Sequence, residues 1–403
     1  MNALSYIRRM TGRPWRLWLF GFLFLFPTIG NLMARITKHG KWLNDYDAIA
    51  CGAHSLSLGQ SPYSLAPVCA GLHPSAFVYA PQVAALFVPF VNAFGTVGSR
   101  MAYLVPLVPL TALVLWYMLA KAYPRSPWQF RLMTMAAING SAIICGNIGF
   151  LLHGLVIAGA LMIRRSRIPF IAAVALAAMV KPVFLTYLVV LAYEDRKLWL
   201  RGATLAAGAV VGLAAVALVM VTAGPLGPAW HASLSSVVMH DQPGISFLAL
   251  TSALGLGTTT PAALVLLAVY TVIMALGGLV LAEWGGLTAQ ERVMVGIGIA
   301  QLVNPRLQDY DMYMLAPFIA TVVMMSQPMG EKTFTWVSWI FAGVLIVGVL
   351  QNIFELRFLH RAPLTVFVYS LLTLYVAGRL ALQHQARIRA LVKDPKALFA
   401  KAA

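Results

Sequence analysis

The sequence predicts an all-α, polytopic membrane helical bundle of about twelve transmembrane helices, with an outer loop that carries juxtamembrane helices. Three observations lead there. Hydrophobic residues make up 60% of the 403 positions, charged residues only 10%, and the mean hydropathy is +0.81. Apolar runs of spanning length recur along the chain. In lipid the backbone must bond within its own segment, so helices are expected. The short alternating segments of a membrane β-barrel are not seen. The third observation is the distribution of the +17 net charge. Basic residues sit in short clusters between apolar runs: Arg8/Arg9/Arg13/Arg16, Lys121/Arg125/Arg131, Arg164/Arg165/Arg167, Arg196/Lys197/Arg201 and a tail from Arg379 to Lys401. That is the positive-inside pattern. It points to a lipid bilayer as partner and argues against nucleic acid.

Residues 1–16 are basic and expected in the cytoplasm. The run 17–36 lacks a small-residue cleavage site and is too long for a signal peptide, so it reads as the first span. Residues 37–76 form a polar outer loop with a short amphipathic helix near 45–58. The run 77–95 is apolar enough to span, but if it crossed, every later basic cluster would be inverted. It is therefore expected to lie in the outer interface or to be re-entrant. The remaining spans are 101–120, 131–145, 148–163, 168–180, 183–193, 202–222, 261–282, 292–303, 312–325, 334–352 and 364–381, with both termini inside. This topology leaves 8 of the 29 basic residues outside and 21 inside. Residues 1–222, including the outer loop 37–100, are expected to form a catalytic module. Residues 223–403 are expected to form a C-terminal transmembrane module that completes the cavity.

Six of the twelve acids fall on the outer side: Asp45, Asp47, Asp241, Asp309, Asp311 and Glu355. Ionisable groups beside a membrane are costly to place and usually have a role. Asp45 is the candidate general base, with Asp47 as its rival; capping a helix that starts near Tyr46 is the plainer role. Lys181, between two short spans, and Arg306, in the turn Asn304–Asp311, are candidate ligands for a phosphate. A snorkelling Lys181, or an Arg306 paired with Asp309 or Asp311, is the structural alternative. Asn147, Tyr79, Asn304, Asp309 and Asp311 are candidates to touch or support a sugar or acceptor. Asn147 is equally placed to cap the helix from Ile148. A carboxylate and cations on one outer cavity suit transfer from a phosphate leaving group, which needs charge stabilisation more than a general acid. His231, His240 and His360 have no metal-site spacing, and no metal is expected. Cys51 and Cys69 share the outer loop, as a disulfide or as two thiols.

Four patches resemble the GT-C membrane glycosyltransferases, and within them family 87, the polyprenyl-phosphate-mannose-dependent mannosyltransferases. They are Asp45-Tyr46 followed by Gly59-Gln60-Ser61-Pro62-Tyr63; Phe77-Val78-Tyr79-Ala80-Pro81; Gly146-Asn147 leading to Lys181-Pro182; and Asn304-Pro305 through Asp309-Tyr310-Asp311. The likeness covers most of residues 15–325. It departs from the family where Asn147 stands for Gln, where Ala80 stands for a second Pro, and where 304–313 lacks a late His. The resemblance implies a GT-C-like fold and an extracytoplasmic site in a cell membrane. It implies an inverting transfer of a mannose-like sugar from a polyprenyl-phosphate donor to a glycan or glycolipid acceptor. Asp45 would be the base, and no metal or other cofactor would be needed. The competing expectation is a transporter or flippase of a lipid-linked substrate, without chemistry.

Overall fold

The computed structural model describes residues 42–121, 145–241, 244–308, 311, 315–354 and 364–386, together with isolated positions between 15 and 37 and residue 389. The described residues are helical, with no strand among them. By length and composition four helical stretches are long and apolar enough to cross a membrane: 81–120, 198–222, 261–284 and 365–383. Three shorter apolar helices, 148–162, 168–180 and 182–193, lie among them. A helical membrane protein is thus what the chain forms, while these helices alone do not amount to twelve spans. Most of the expected spans 17–36 and 131–145 lie outside the described residues.

α1 (Asn44–Ser57) is the short helix expected in the polar loop. It is largely buried, and its Tyr46 stacks on Tyr103 at 4.3 Å and meets Phe87 edge-on at 5.8 Å. Both partners belong to α2 (Pro81–Trp116). In a straight helix residues 87 and 103 would stand about 24 Å apart, yet their rings are 6.2 Å apart. The bend is at Gly95, whose φ of 70° and ψ of 169° break the helical path. Only glycine adopts that conformation readily. The first half of α2 therefore folds back beside the second. The bend falls where the apolar run 77–95 ends, just before the polar stretch 96–100.

Extended residues 77–80 lead into α2 without a partner strand, so their carbonyls need other donors. Ser233 Oγ donates to Phe77 O (2.9 Å), Trp230 Nε1 to Val78 O (3.2 Å) and Tyr63 Oη to Tyr79 O (2.8 Å). Ser233 and Trp230 belong to α6, described below. Cys51 and Cys69 are joined in a disulfide that ties the irregular loop back to α1.

α3 (Ile148–Met162) and α4 (Ile168–Val180) follow, then a 3₁₀ helix, Pro182–Tyr193. Such a helix rises about 2.0 Å per residue, so twelve residues reach about 24 Å instead of the α-helix's 18 Å. That length is most of the thickness of an apolar layer of about 30 Å. The remaining helices are α5 (Leu198–Thr222), α6 (Gly227–Ser233), α7 (Phe247–Ala253), α8 (Pro261–Trp284), α9 (Ala289–Leu302), α10 (Leu315–Met325), α11 (Glu331–Phe354) and α12 (Leu364–Gln383). Small residues let the central helices approach closely, as membrane bundles require. A Cβ on Gly154 would stand 2.8 Å from Leu110, one on Gly159 2.8 Å from the Phe170 backbone, and one on Gly296 2.7 Å from Val190. On α5 and α8, Val210, Leu213, Val221, Val265, Val269 and Val272 are exposed. A bilayer is the surrounding that such surface fits.

Candidate functional site

Asp45 enters the site through the Leu43–Asp45 and Cys145–Asn147 junction. Leu43 is buried with φ 56°, the only non-glycine in the left-handed region among the described residues. Such a conformation costs about 1–3 kcal/mol, and surrounding contacts must hold it. One of those contacts is Gly146, at φ 66°, so close that any Cβ there would collide with the Leu43 side chain. The Asp45 amide donates to Cys145 O at 2.9 Å. The turn before α3 thus anchors the first turn of α1. α1 begins at Asn44, with Leu43 at the cap position and no side-chain cap bond. The Asp45 carboxylate is consequently not occupied in capping.

Asn147 does cap its helix and also joins two functional groups. Its Oδ1 accepts from Gly149 N (2.7 Å) and from Lys181 Nζ (3.0 Å), while its Nδ2 donates to Asp45 Oδ2 (2.7 Å). The two acceptor contacts determine which end of the amide faces Asp45. Gly149 leaves the junction open: a Cβ there would lie 2.8 Å from Asn147 Oδ1, 3.3 Å from Lys181 Nζ and 3.6 Å from Asp311 Oδ1.

Lys181, Arg306 and Asp311 come from distant parts of the chain, and all line one cavity of ≈ 410 Å³ with Asp45, Asn147, Tyr79, Asn304 and Gln308. Lys181 turns inward to Asn147; it does not snorkel. Burial pushes its ammonium below the ordinary lysine value, Asp311 pulls it back up, and Arg306 lowers it further. Burial works to raise the Asp311 carboxyl, but His153 and Lys181 beside it hold it below the usual aspartate range. Burial raises the Tyr79 hydroxyl, with Asp45 adding to the effect, so it remains a proton donor. Asn304 Oδ1 accepts from Arg306 N at 2.9 Å and shapes the turn that presents Arg306. Ile245 N donates to Leu307 O (2.8 Å) and Ser246 Oγ to Pro305 O (2.6 Å), strapping that turn from outside. Val180, Val183, Phe184, Leu234 and Val237 add apolar surface to the lining.

Asp47 is not at the cavity. It is fully buried and paired with Arg100, whose Nε and Nη2 donate to its two oxygens at 2.8 and 2.7 Å. His73 N donates to the same carboxylate at 2.9 Å. Asp47 therefore ties α1, α2 and the disulfide-bearing loop together; it supports the site and is neither a rival base nor a sugar ligand. Asp309 lies outside the described residues.

Three lining or supporting residues escaped the sequence reading. Gln301 Nε2 donates to Tyr187 Oη (2.5 Å), leaving that hydroxyl to donate to His153 Nδ1 (2.7 Å). The imidazole proton then sits on Nε2, 3.6 Å from Asp311 Oδ1. This chain crosses from α9 through the 3₁₀ helix and α3 to the Asp311 turn. A histidine and a glutamine inside apolar runs are themselves a signal, and His153 falls one helical turn after Gly149, on the same face.

Compared with protein-family models, with curated proteins and with solved structures, the chain matches none.

Proposed function

We propose that the protein is a membrane glycosyltransferase that moves a mannose-like sugar from a polyprenyl-phosphate donor to an acceptor hydroxyl of a glycan or glycolipid. The reaction is inverting, on the extracytoplasmic face of a cell membrane, with the termini in the cytoplasm. One observation carries this reading: a carboxylate free of capping duty and two cations, contributed by segments more than a hundred residues apart, line a single cavity together with apolar surface.

The chemistry follows from charge. Asp45 takes the proton of the acceptor hydroxyl as its oxygen bonds to the anomeric carbon. The bond from that carbon to the phosphate oxygen breaks, and its electron pair leaves with the phosphate. A phosphodiester with one negative charge becomes a monoester with two. Lys181 and Arg306 stabilise that increase, which is where such donors act most strongly. Asn147 stands between Asp45 and Lys181 and holds both in position. Tyr79 and Asp311 supply a donor and an acceptor for sugar hydroxyls, Asn304 shapes the Arg306 turn, and the apolar surface receives the first units of the lipid.

Hydrogen bonds to charged groups contribute about 1.5–3 kcal/mol, so Lys181→Ala is expected to weaken donor binding about 10- to 100-fold. Because the folded protein disfavours the Lys181 ammonium, donor affinity is expected to fall with rising pH before an ordinary lysine would deprotonate. Lys181→Arg should move that alkaline limb upward; titration of donor binding against pH measures both. A displacement of about 1 Å in such a constellation can cost about a hundred-fold. Gly149→Ala pushes into Asn147 Oδ1 and crowds Lys181 Nζ, and should lower turnover to that extent in a protein that still elutes as folded.

The deciding experiment offers the purified protein a panel of polyprenyl-phosphate sugars and acceptors and analyses products by mass spectrometry. Transfer from at least one donor is expected. The break at Lys181-Pro182 between two short helices is also how transporters build substrate sites. No product from any donor, with substrate movement in liposomes, would establish that second reading.

A further inference from the structure

A second cavity, of ≈ 540 Å³, occupies the other end of the same helices. The candidate site lies at the start of α3 and of the 3₁₀ helix and at the end of α9. The second cavity lies beyond the ends of those first two, at Ile163, Arg164 and Glu194–Lys197, and at the first turn of α9. The fifteen residues of α3 alone put about 22 Å between them.

Arg164, Arg196, Lys197 and Arg292 line this cavity with only two carboxylates, Glu194 and Asp195. Those carboxylates do not neutralise it. Glu194 is engaged by Arg167, which donates from Nε at 2.9 Å, and Arg196 stands farther off at 3.6 Å. Asp195 is 80% exposed and 3.8 Å from Arg292. Arg292 donates from Nη1 to Glu283, a carboxylate outside the lining, at 3.2 Å, and Glu283 is shared with Arg201; the Arg292 Nε is buried without a hydrogen-bond partner. Leu200, Val190, Ile163 and Val293 make the remainder of the lining apolar. Cations beside an apolar wall fit a phosphate attached to a hydrocarbon better than a free anion.

Depth favours the same ligand. Leu200 is in the first turn of α5, a helix of membrane-spanning length that begins at Leu198. Its neighbour Trp199 is 55% exposed. Exposed tryptophan at the end of a spanning helix belongs at headgroup level, and basic pockets between helices at that level bind acidic headgroups. We propose that this cavity binds the phosphodiester headgroup of an anionic phospholipid. Arg164, Arg196, Lys197 and Arg292 face the phosphate and the apolar wall meets the start of the acyl chains. This site is independent of the transferase reading.

The test uses full-length protein, delipidated in neutral detergent, with native mass spectrometry and thermal unfolding as readouts. Phosphatidylglycerol, phosphatidylcholine and inorganic phosphate are added separately. Phosphatidylglycerol is expected to stay bound and raise Tm, phosphatidylcholine to do neither. A headgroup contact from a basic residue is worth about five-fold, so the Arg196→Gln/Lys197→Gln double variant should lose about 25-fold in preference. Arg164→Gln, on a different element, should lose about five-fold. These side chains are solvent-facing, and unchanged lipid-free Tm and elution confirm folding. Equal retention of the two lipids overturns the proposal, as does a preference that survives in both variants. Inorganic phosphate matching phosphatidylglycerol overturns the lipid assignment in favour of a free anion.

Discussion

Replacing Asp45 with asparagine is expected to lower sugar transfer by about 10²- to 10⁴-fold, the range general-base catalysis contributes. The substitution keeps size and shape, and the new side-chain oxygen can still accept from Asn147 Nδ2, which bonds Asp45 at 2.7 Å. The junction with Lys181 and Gly149 is left intact, so donor binding and thermal unfolding should stay near wild type. The loss should appear in kcat, not in donor affinity. Single-turnover rates beside direct donor binding make that separation. Normal turnover in Asp45→Asn would remove the base, and with it the transfer mechanism proposed for this cavity.

Two residues further on, the opposite phenotype is expected. Asp47→Ala deletes one partner of a fully buried ion pair and leaves the Arg100 guanidinium uncompensated, with side-chain exposures of 5% and 0% for the pair. Breaking such a pair costs about 3–5 kcal/mol. Arg100 also lies over the Trp42 ring at 5.4 Å, and the His73 amide loses its acceptor. A large fall in Tm is expected, measured by unfolding in detergent, with donor affinity retained in the fraction that remains folded. A variant of normal stability that has lost transfer would return Asp47 to the reaction. The two carboxylates are alike in sequence, but α1 turns one toward the cavity and the other into the protein.

That pair illustrates where the sequence stops being informative. Lys181-Pro182, Gly146-Asn147 and the Asn304 turn stand out because polar groups in an apolar chain are scarce. Their segments do meet, as expected of residues that must share one cavity. His153, Tyr187 and Gln301 were harder to read, since each sits singly inside an apolar helix and acquires meaning only from its neighbours. Charge parity argues only that 77–95 does not cross; the fold-back at Gly95 comes from the structure, and the glycine responsible is one of 32 in the chain. The strap from residues 245–246 to the Arg306 turn left no trace in composition or spacing.

Hydropathy and the spacing of charged clusters are enough to specify a helical membrane protein, because burial in lipid depends on residue type and run length and hardly on partners. They also single out the scarce polar residues worth watching. Which of those groups converge was settled by packing: Asp45 reaches Lys181 through Asn147, while Asp47 is consumed by Arg100. Such pairings depend on distances of about 3 Å between segments far apart in the chain, a scale on which hydrogen bonds form or fail. Helix periodicity alone does not reach that resolution.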